Sequence, residues 1–275
     1  MDQMLTVLFH SLFFLTHAFW VVALAAYALR PFIPALDAAA TYGRLTELKE
    51  KRAAANPSPL FSLLSEANGF RLMYSFASVC VALLFAMPAS RSPILIPLFA
   101  HVFRRAVESF VVHKFSERPM PNLQLLFAVG FYFCAATGPF FAHWSAAGGD
   151  VAGIEPEPNK VPLVCLLVMI WCQMQQHRAH RILAQCRGGA AEPAKRYGIP
   201  HSGLFEAVSS PHYLAEIVFY VTLLFVGRFY LAKGLMVAFV VVNLADRANR
   251  THSWYQAQFG DAYPSDRNRL IPMIW

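Results

Sequence analysis

Charge is what this sequence has least of. Lys, Arg, Asp and Glu make up 14% of 275 residues, against about a quarter in soluble domains, so most of the chain cannot face water. Cysteine is sparse and poorly spaced for chemistry. Cys80, Cys134, Cys165, Cys172 and Cys186 form no pair with metal-ligand spacing, and an odd number scattered through a largely apolar chain is no disulfide framework. They read as packing residues. Motifs are missing too: without G-x-G-x-x-G after a strand or G-x-x-x-x-G-K-[ST], neither a Rossmann nor a Walker nucleotide site is supported. Nor does any G-x-S-x-G or H-E-x-x-H point to a serine hydrolase or a zinc protease. No internal repeat and no low-complexity tract is present.

What is there is hydrophobic and aromatic. Apolar residues account for 57%, with 24 Phe, and mean hydropathy is +0.42. A helix crosses the hydrocarbon in about 20 apolar residues. Residues 5–29 form a first such run; it lacks a basic leader and a small-residue cleavage site, so it reads as a retained span. Further spans lie near 70–88, 93–113 and 122–143, separated by Pro88/Pro93 and Pro119/Pro121, and a fifth covers about 161–183. The stretch 211–245 suits two short helices with a turn near Gly227-Arg228, and from 246 onward the chain is polar, basic and aromatic. The expectation is an all-α integral membrane protein of about seven transmembrane helices. Residues 1–275 would form one membrane domain, its N-terminal spans running to about 160 and its C-terminal region from about 161.

The net charge of +7 sits in short loops and not along an exposed face, which argues against nucleic acid. One set of loops carries Arg30, Arg44, Lys49, Lys51, Arg52, Lys114, Arg118, Arg178, Arg181, Arg187, Lys195 and Arg196, and the tail adds Arg247, Arg250, Arg267 and Arg269. The opposite side offers only Arg91, Lys160, Arg228 and Lys233. Positive loops stay inside, so the C-terminal tail is expected in the cytosol and the N-terminus in the lumen.

Ionisable groups at membrane depth point to function. The third span holds His101, Arg104, Arg105, Glu108 and His113, with Glu108 three and four residues from the two arginines and able to pair with them. The fifth ends in Gln173, Gln175, Gln176, His177, His180 and Arg181; no carboxylate or cysteine lies nearby in sequence to complete a metal set, and no metal is expected. Ser210-Pro211 reads as a helix start, and His212, Glu216 and Tyr220 then fall on one stripe. In the tail Arg247, Thr251 and Tyr255 share a face, and arginines among aromatics suit a phosphate-bearing ligand, as they would suit an anchor on acidic lipid. These residues describe a membrane enzyme or a transporter with an anionic ligand on the cytosolic side.

Three segments carry a resemblance. Tyr197-Gly-Ile-Pro-His-Ser-Gly-Leu-Phe205, Ser209-Ser-Pro-His-Tyr-Leu-Ala-Glu-Ile217, and Thr251-His-Ser-Trp-Tyr255 with Tyr263-Pro-Ser-Asp-Arg-Asn-Arg-Leu-Ile-Pro272 resemble the C-terminal domain of the steroid 5α-reductase family. Arg104-Arg105-x-x-Glu108 and His180-Arg-Ile-Leu-Ala184 are most similar to its polyprenol reductase branch. The resemblance covers about 176–275 and, more thinly, 101–121. It implies a seven-helix protein of the endoplasmic reticulum membrane that uses NADPH. By position, Gln176, His180, Arg187, Tyr197, His212, Glu216, Arg247, His252, Tyr255 and Arg267 would bind the cofactor. His101, Arg105 and Glu108 would lie near the substrate, and Glu216, His252 and Glu108 would be the catalytic candidates. Asp261-Ala-Tyr-Pro264 is one residue longer than the family's Asp-Tyr-Pro. His180 stands where steroid-reducing members carry aspartate, which favours a non-steroid substrate.

The chemistry that the resemblance implies has a physical constraint. Hydride is a nucleophile, so the double bond it reduces must be conjugated to a group that accepts charge, and a donor aimed at that group stabilises the transition state. An allylic alcohol offers no such sink. The expected substrate is therefore the enal, polyprenal, reduced on the route from polyprenol to dolichol for protein N-glycosylation. A steroid or enoyl-CoA reductase of the same fold, a membrane methyltransferase, and a lipid transporter or scaffold are the alternatives.

Overall fold

The computed structural model describes residues 3–33, 36–37, 64–86, 92–115, 119–150, 153–154, 161–187 and 197–275. Of the loop cations counted above, Arg44, Lys49, Lys51, Arg52, Arg91, Arg118, Lys160, Lys195 and Arg196 lie outside them. Among the described residues there are seven α-helices: α1 (Gln3–Leu29), α2 (Glu66–Ala86), α3 (Leu95–Val111), α4 (Asn122–Ala146), α5 (Leu163–Gln185), α6 (Pro211–Leu223) and α7 (Leu231–Phe259). A two-residue antiparallel ladder, β1 (Leu64–Ser65) with β2 (Pro119–Met120), ties the start of α2 to the start of α4. The approach is close: a Cβ on Gly69 would press on the end of the Met120 side chain, which would have to shift.

Most helix bounds follow the apolar runs, but the C-terminal one does not. Helix α7 runs unbroken through the polar segment expected as a tail. No proline or glycine interrupts residues 235–259, and the helix stops at Gly260, whose φ of 54° favours a residue without a Cβ. Ser210 does sit at the N-cap of α6 with Pro211 in the first turn. Its buried Oγ, however, makes no capping hydrogen bond.

Helices α1 (from Thr6), α2 and α4 are each long and apolar enough to cross a membrane. Of the about seven spans expected, three among the described residues qualify on length and composition alone. Helix α3 has 17 residues and carries Arg104, Arg105 and Glu108, α5 ends in amides and histidines, α6 has 13 residues, and the second half of α7 is polar. Helices α3 and α5 nevertheless turn Phe103, Val107 and Phe110, and Leu163, Val164, Leu167 and Met174, outward. Exposed apolar surface of that kind marks a lipid or protein contact.

Helix α2 packs along α3, α5 along α6, and α1 against α4 and α7. The core they share contains Trp20, Ala77, Val102, Phe219, Tyr220 and Leu223, all buried. Trp20 meets Phe131 of α4 edge-on at 5.2 Å.

Candidate active site

Helix periodicity builds one wall of a cavity of about 570 Å³, within the range of small-molecule and cofactor sites. Phe19, Val22, Ala23, Ala26 and Tyr27 line it from α1 and Arg30 from just past its end, at three- and four-residue spacing, so they fall on one stripe. Phe127, Phe131 and Tyr132 of α4 and Phe239 and Val240 of α7 continue this wall. The facing wall is polar: Arg105 of α3 and the following His113 and Lys114, His180 and Arg187 at the end of α5, His212 and Glu216 of α6, and Arg247, Thr251 and Tyr255 of α7.

A hydrogen-bonded ladder crosses three helices behind the polar wall. Gln176 Nε2 donates to Glu216 Oε2 at 2.8 Å, and its Oε1 accepts from Arg104. Arg104 donates through Nε to Gln173 at 2.6 Å and through Nη1 to Glu108. Gln173 reaches His101 Nδ1 at 3.1 Å. Glu108 is 1% exposed and takes a second guanidinium, Arg105 Nη1 at 2.6 Å, with His177 Nδ1 at 2.7 Å and His180 Nδ1 at 2.8 Å. The carboxylate missing near His177 and His180 in sequence thus arrives from α3. Ligand atoms of Glu108, His113 and His180 lie within 4.8 Å of one another, the spread of a metal set. They converge on Arg105 Nη1, which is 2.9 Å from His113 and 2.7 Å from His180, so a guanidinium already holds the place a metal ion would take.

The end of the chain closes over α7. Ser209 Oγ lies 2.7 Å from His252 Nδ1 and 2.7 Å from Tyr263 Oη, and donates to Asn268 O at 3.0 Å. Tyr255 stacks on Tyr263 at 5.1 Å. Arg267 Nη1 donates to Pro200 O at 3.0 Å, while its buried Nε and Nη2 have no hydrogen-bond acceptor among the described residues. Arg187 and Tyr197 pair across an antiparallel bridge, with the guanidinium 5.3 Å from the ring centre. Burial, and then the charges of Arg269 and Arg267, hold His252 below its ordinary pKa.

Of the residues expected at the cofactor, His180, Arg187, Tyr197, His212, Glu216, Arg247 and Tyr255 line the cavity. Gln176, His252 and Arg267 do not: Gln176 stands one layer behind Glu216, and the other two belong to the C-terminal closure. Of the three expected at the substrate, Arg105 lines it. His101 stacks on Phe219 at 4.6 Å, and Glu108 lies in the ladder; both are outside the cavity lining. Tyr220, third on the His212 stripe, is buried in the core. Sequence reasoning passed over Glu66, Tyr74, Tyr213 and Asn243, which line the cavity. Glu66 and Tyr74 are four and eight residues apart from Phe70 and Glu66 along the lining face of α2, a spacing that would have grouped them.

An all-α protein of membrane character, with an amphipathic cavity between an aromatic and a cationic wall, is the class these features define. Residues 118–275 match the family described as 3-oxo-5-alpha-steroid 4-dehydrogenase. The chain is 32% identical over 209 residues to Polyprenal reductase 2 of Arabidopsis thaliana, covering 66% of this chain and 60% of that one. It is 30% identical over 207 residues to Polyprenal reductase 1 of the same plant (66% and 64%) and 30% over 182 residues to Polyprenal reductase of Xenopus tropicalis (65% and 59%). The matched region spans about three-fifths of the length of these relatives. The chain belongs to the steroid 5α-reductase family, an oxidoreductase family, in its polyprenal reductase branch.

Proposed function

We propose that this protein reduces the α-isoprene C=C of polyprenal with NADPH, in the endoplasmic reticulum membrane and on the route from polyprenol to dolichol that supplies N-glycosylation. The observation that carries this is the division of the cavity. An aromatic wall suits an isoprenoid chain, and the opposite wall suits a polyanion. Among the lining residues Arg30, Arg105, Lys114, Arg187 and Arg247 outnumber the carboxylates, Glu66 and Glu216.

The same surplus is the test of whether NADPH fits, and the residues do fit. Arg187, Arg247 and Lys114 would hold phosphate, with guanidinium forks suited to its oxygens. Tyr197 would offer a ring face. Glu216, with Oε2 held by Gln176, keeps Oε1 for a ligand amide or hydroxyl. Bound there, NADPH supplies a hydride for the β-carbon of the enal. The protein's share is to hold the chain between Phe127, Phe131 and Phe239, to exclude water from the buried seam, and to face the developing oxygen charge with donors.

Purified protein should consume NADPH with polyprenal. Faster consumption with a 3-oxo-4-ene steroid or an enoyl-CoA would reassign the substrate, and binding of the lipid with no consumption would leave a transporter or scaffold.

A further inference from the structure

Tyr74 lies where the two walls of the cavity meet. Its ring sits 5.6 Å from that of Tyr132 on the aromatic wall. Its phenol oxygen accepts Arg105 Nη2–H at 3.1 Å and Nε–H at 3.3 Å from the polar wall, and the side chain lines the cavity while only 6% exposed. Arginine donates and never accepts. Both bonds therefore use the lone pairs of the phenol, and its own hydrogen finds no acceptor among the described residues. A buried tyrosine hydroxyl ordinarily finds one. Arg105 is in turn fixed by Glu108 at 2.6 Å, so the phenol is held in place by a chain of charge-assisted bonds, each strengthening the next.

We infer that Tyr74 is the hydrogen-bond donor to the carbonyl oxygen of the aldehyde head group. This rests on the enal reading above and adds to it the residue that faces the reacting oxygen. As charge gathers on that oxygen, the Tyr74 O–H bond polarises toward it, and the Arg105 guanidinium stabilises the charge left on the phenol. Tyr132, close by on the aromatic wall, touches no guanidinium among the described residues and lacks this support.

Two measurements test it. Tyr74→Phe should lower kcat for polyprenal about a hundredfold, the usual cost of removing one such donor, with NADPH affinity by titration unchanged. The second keeps the fold intact whatever becomes of that variant: 3-fluorotyrosine placed at position 74 and followed by fluorine NMR. Its resonance should move when a saturated isoprenoid aldehyde is added and stay put with the hydrocarbon of the same length. Wild-type turnover of polyprenal, together with full kcat in Tyr74→Phe or an aldehyde-insensitive resonance, would overturn the inference and leave the enal reading standing. A resonance that responds to the aldehyde in a protein that never reduces polyprenal would do the reverse.

Discussion

Glu216 and Glu108 belong to one hydrogen-bonded ladder but face different things. Glu216 opens on the cavity, whereas Glu108 is sealed between two guanidiniums. Exchanging each for glutamine should therefore separate binding from folding. Glu216→Gln keeps an acceptor for Gln176 and is expected to lose most turnover at a near-native melting temperature. Glu108→Gln leaves the buried Arg105 and the half-buried Arg104 without their counter-charge, a defect that costs about 3–5 kcal/mol for a buried pair. It should lower the melting temperature in detergent markedly. Normal NADPH oxidation in the first variant would make Glu216 structural, and an unchanged melting temperature in the second would show that the arginines do not depend on Glu108 for counter-charge. The single residues of this ladder were legible as polar intruders in apolar runs. The pairing of Glu108 with Arg104 and Arg105 was legible in their spacing; the long-range partners were not, because Gln176 meets Glu216 across 40 residues and Arg104 across 72, and no local spacing encodes such contacts. The spacing of Tyr74 from Glu66 and Phe70 placed it on one face of a 21-residue helix, but its contact with Arg105, which arrives from α3, was hidden for a similar reason.

At the scale of elements, the last helix departs most from its expected form. Helix α7 does not end where its apolar run ends, so Arg247, Thr251 and Tyr255 line the cavity from a rigid element. The face those three share was readable from their spacing. The extension of the helix was readable from the absence of proline and glycine, although polarity argued for a tail. His252 lies off that face and joins Ser209 and Tyr263. Its lowered pKa gives the closure a pH dependence whose sign is fixed. The unfolded chain takes up a proton below about pH 6.5, the folded one only at lower pH. Stability therefore rises with pH across that interval and falls on acidification. Amide protection in residues 263–275, taken relative to the intrinsic exchange rate at each pH, should be higher near pH 7.5 than near pH 5.5, and His252→Gln should remove most of the difference. Equal protection at both values in the wild type would show that His252 does not anchor this segment.

At the scale of the whole molecule, apolar runs located the helices, but not how many cross the bilayer unaided. Three pass on their own composition. The other four described helices carry charge inside α3, a polar end on α5, only 13 residues in α6 and a polar second half in α7. The orientation proposed from the positive loops puts the C-terminus in the cytosol. In sealed microsomes, added protease should remove a C-terminal tag and spare an N-terminal one, and the opposite pattern would move the cationic wall away from cytosolic NADPH. The central claim is hydride delivery to a lipid enal, and isotopic transfer reads it most directly. Purified protein, given polyprenal and NADPH deuterated at the transferable position, should yield a saturated aldehyde with one deuterium at the β-carbon for each NADPH consumed. Unlabelled lipid, or label entering only from polyprenol and never from the aldehyde, would contradict the account.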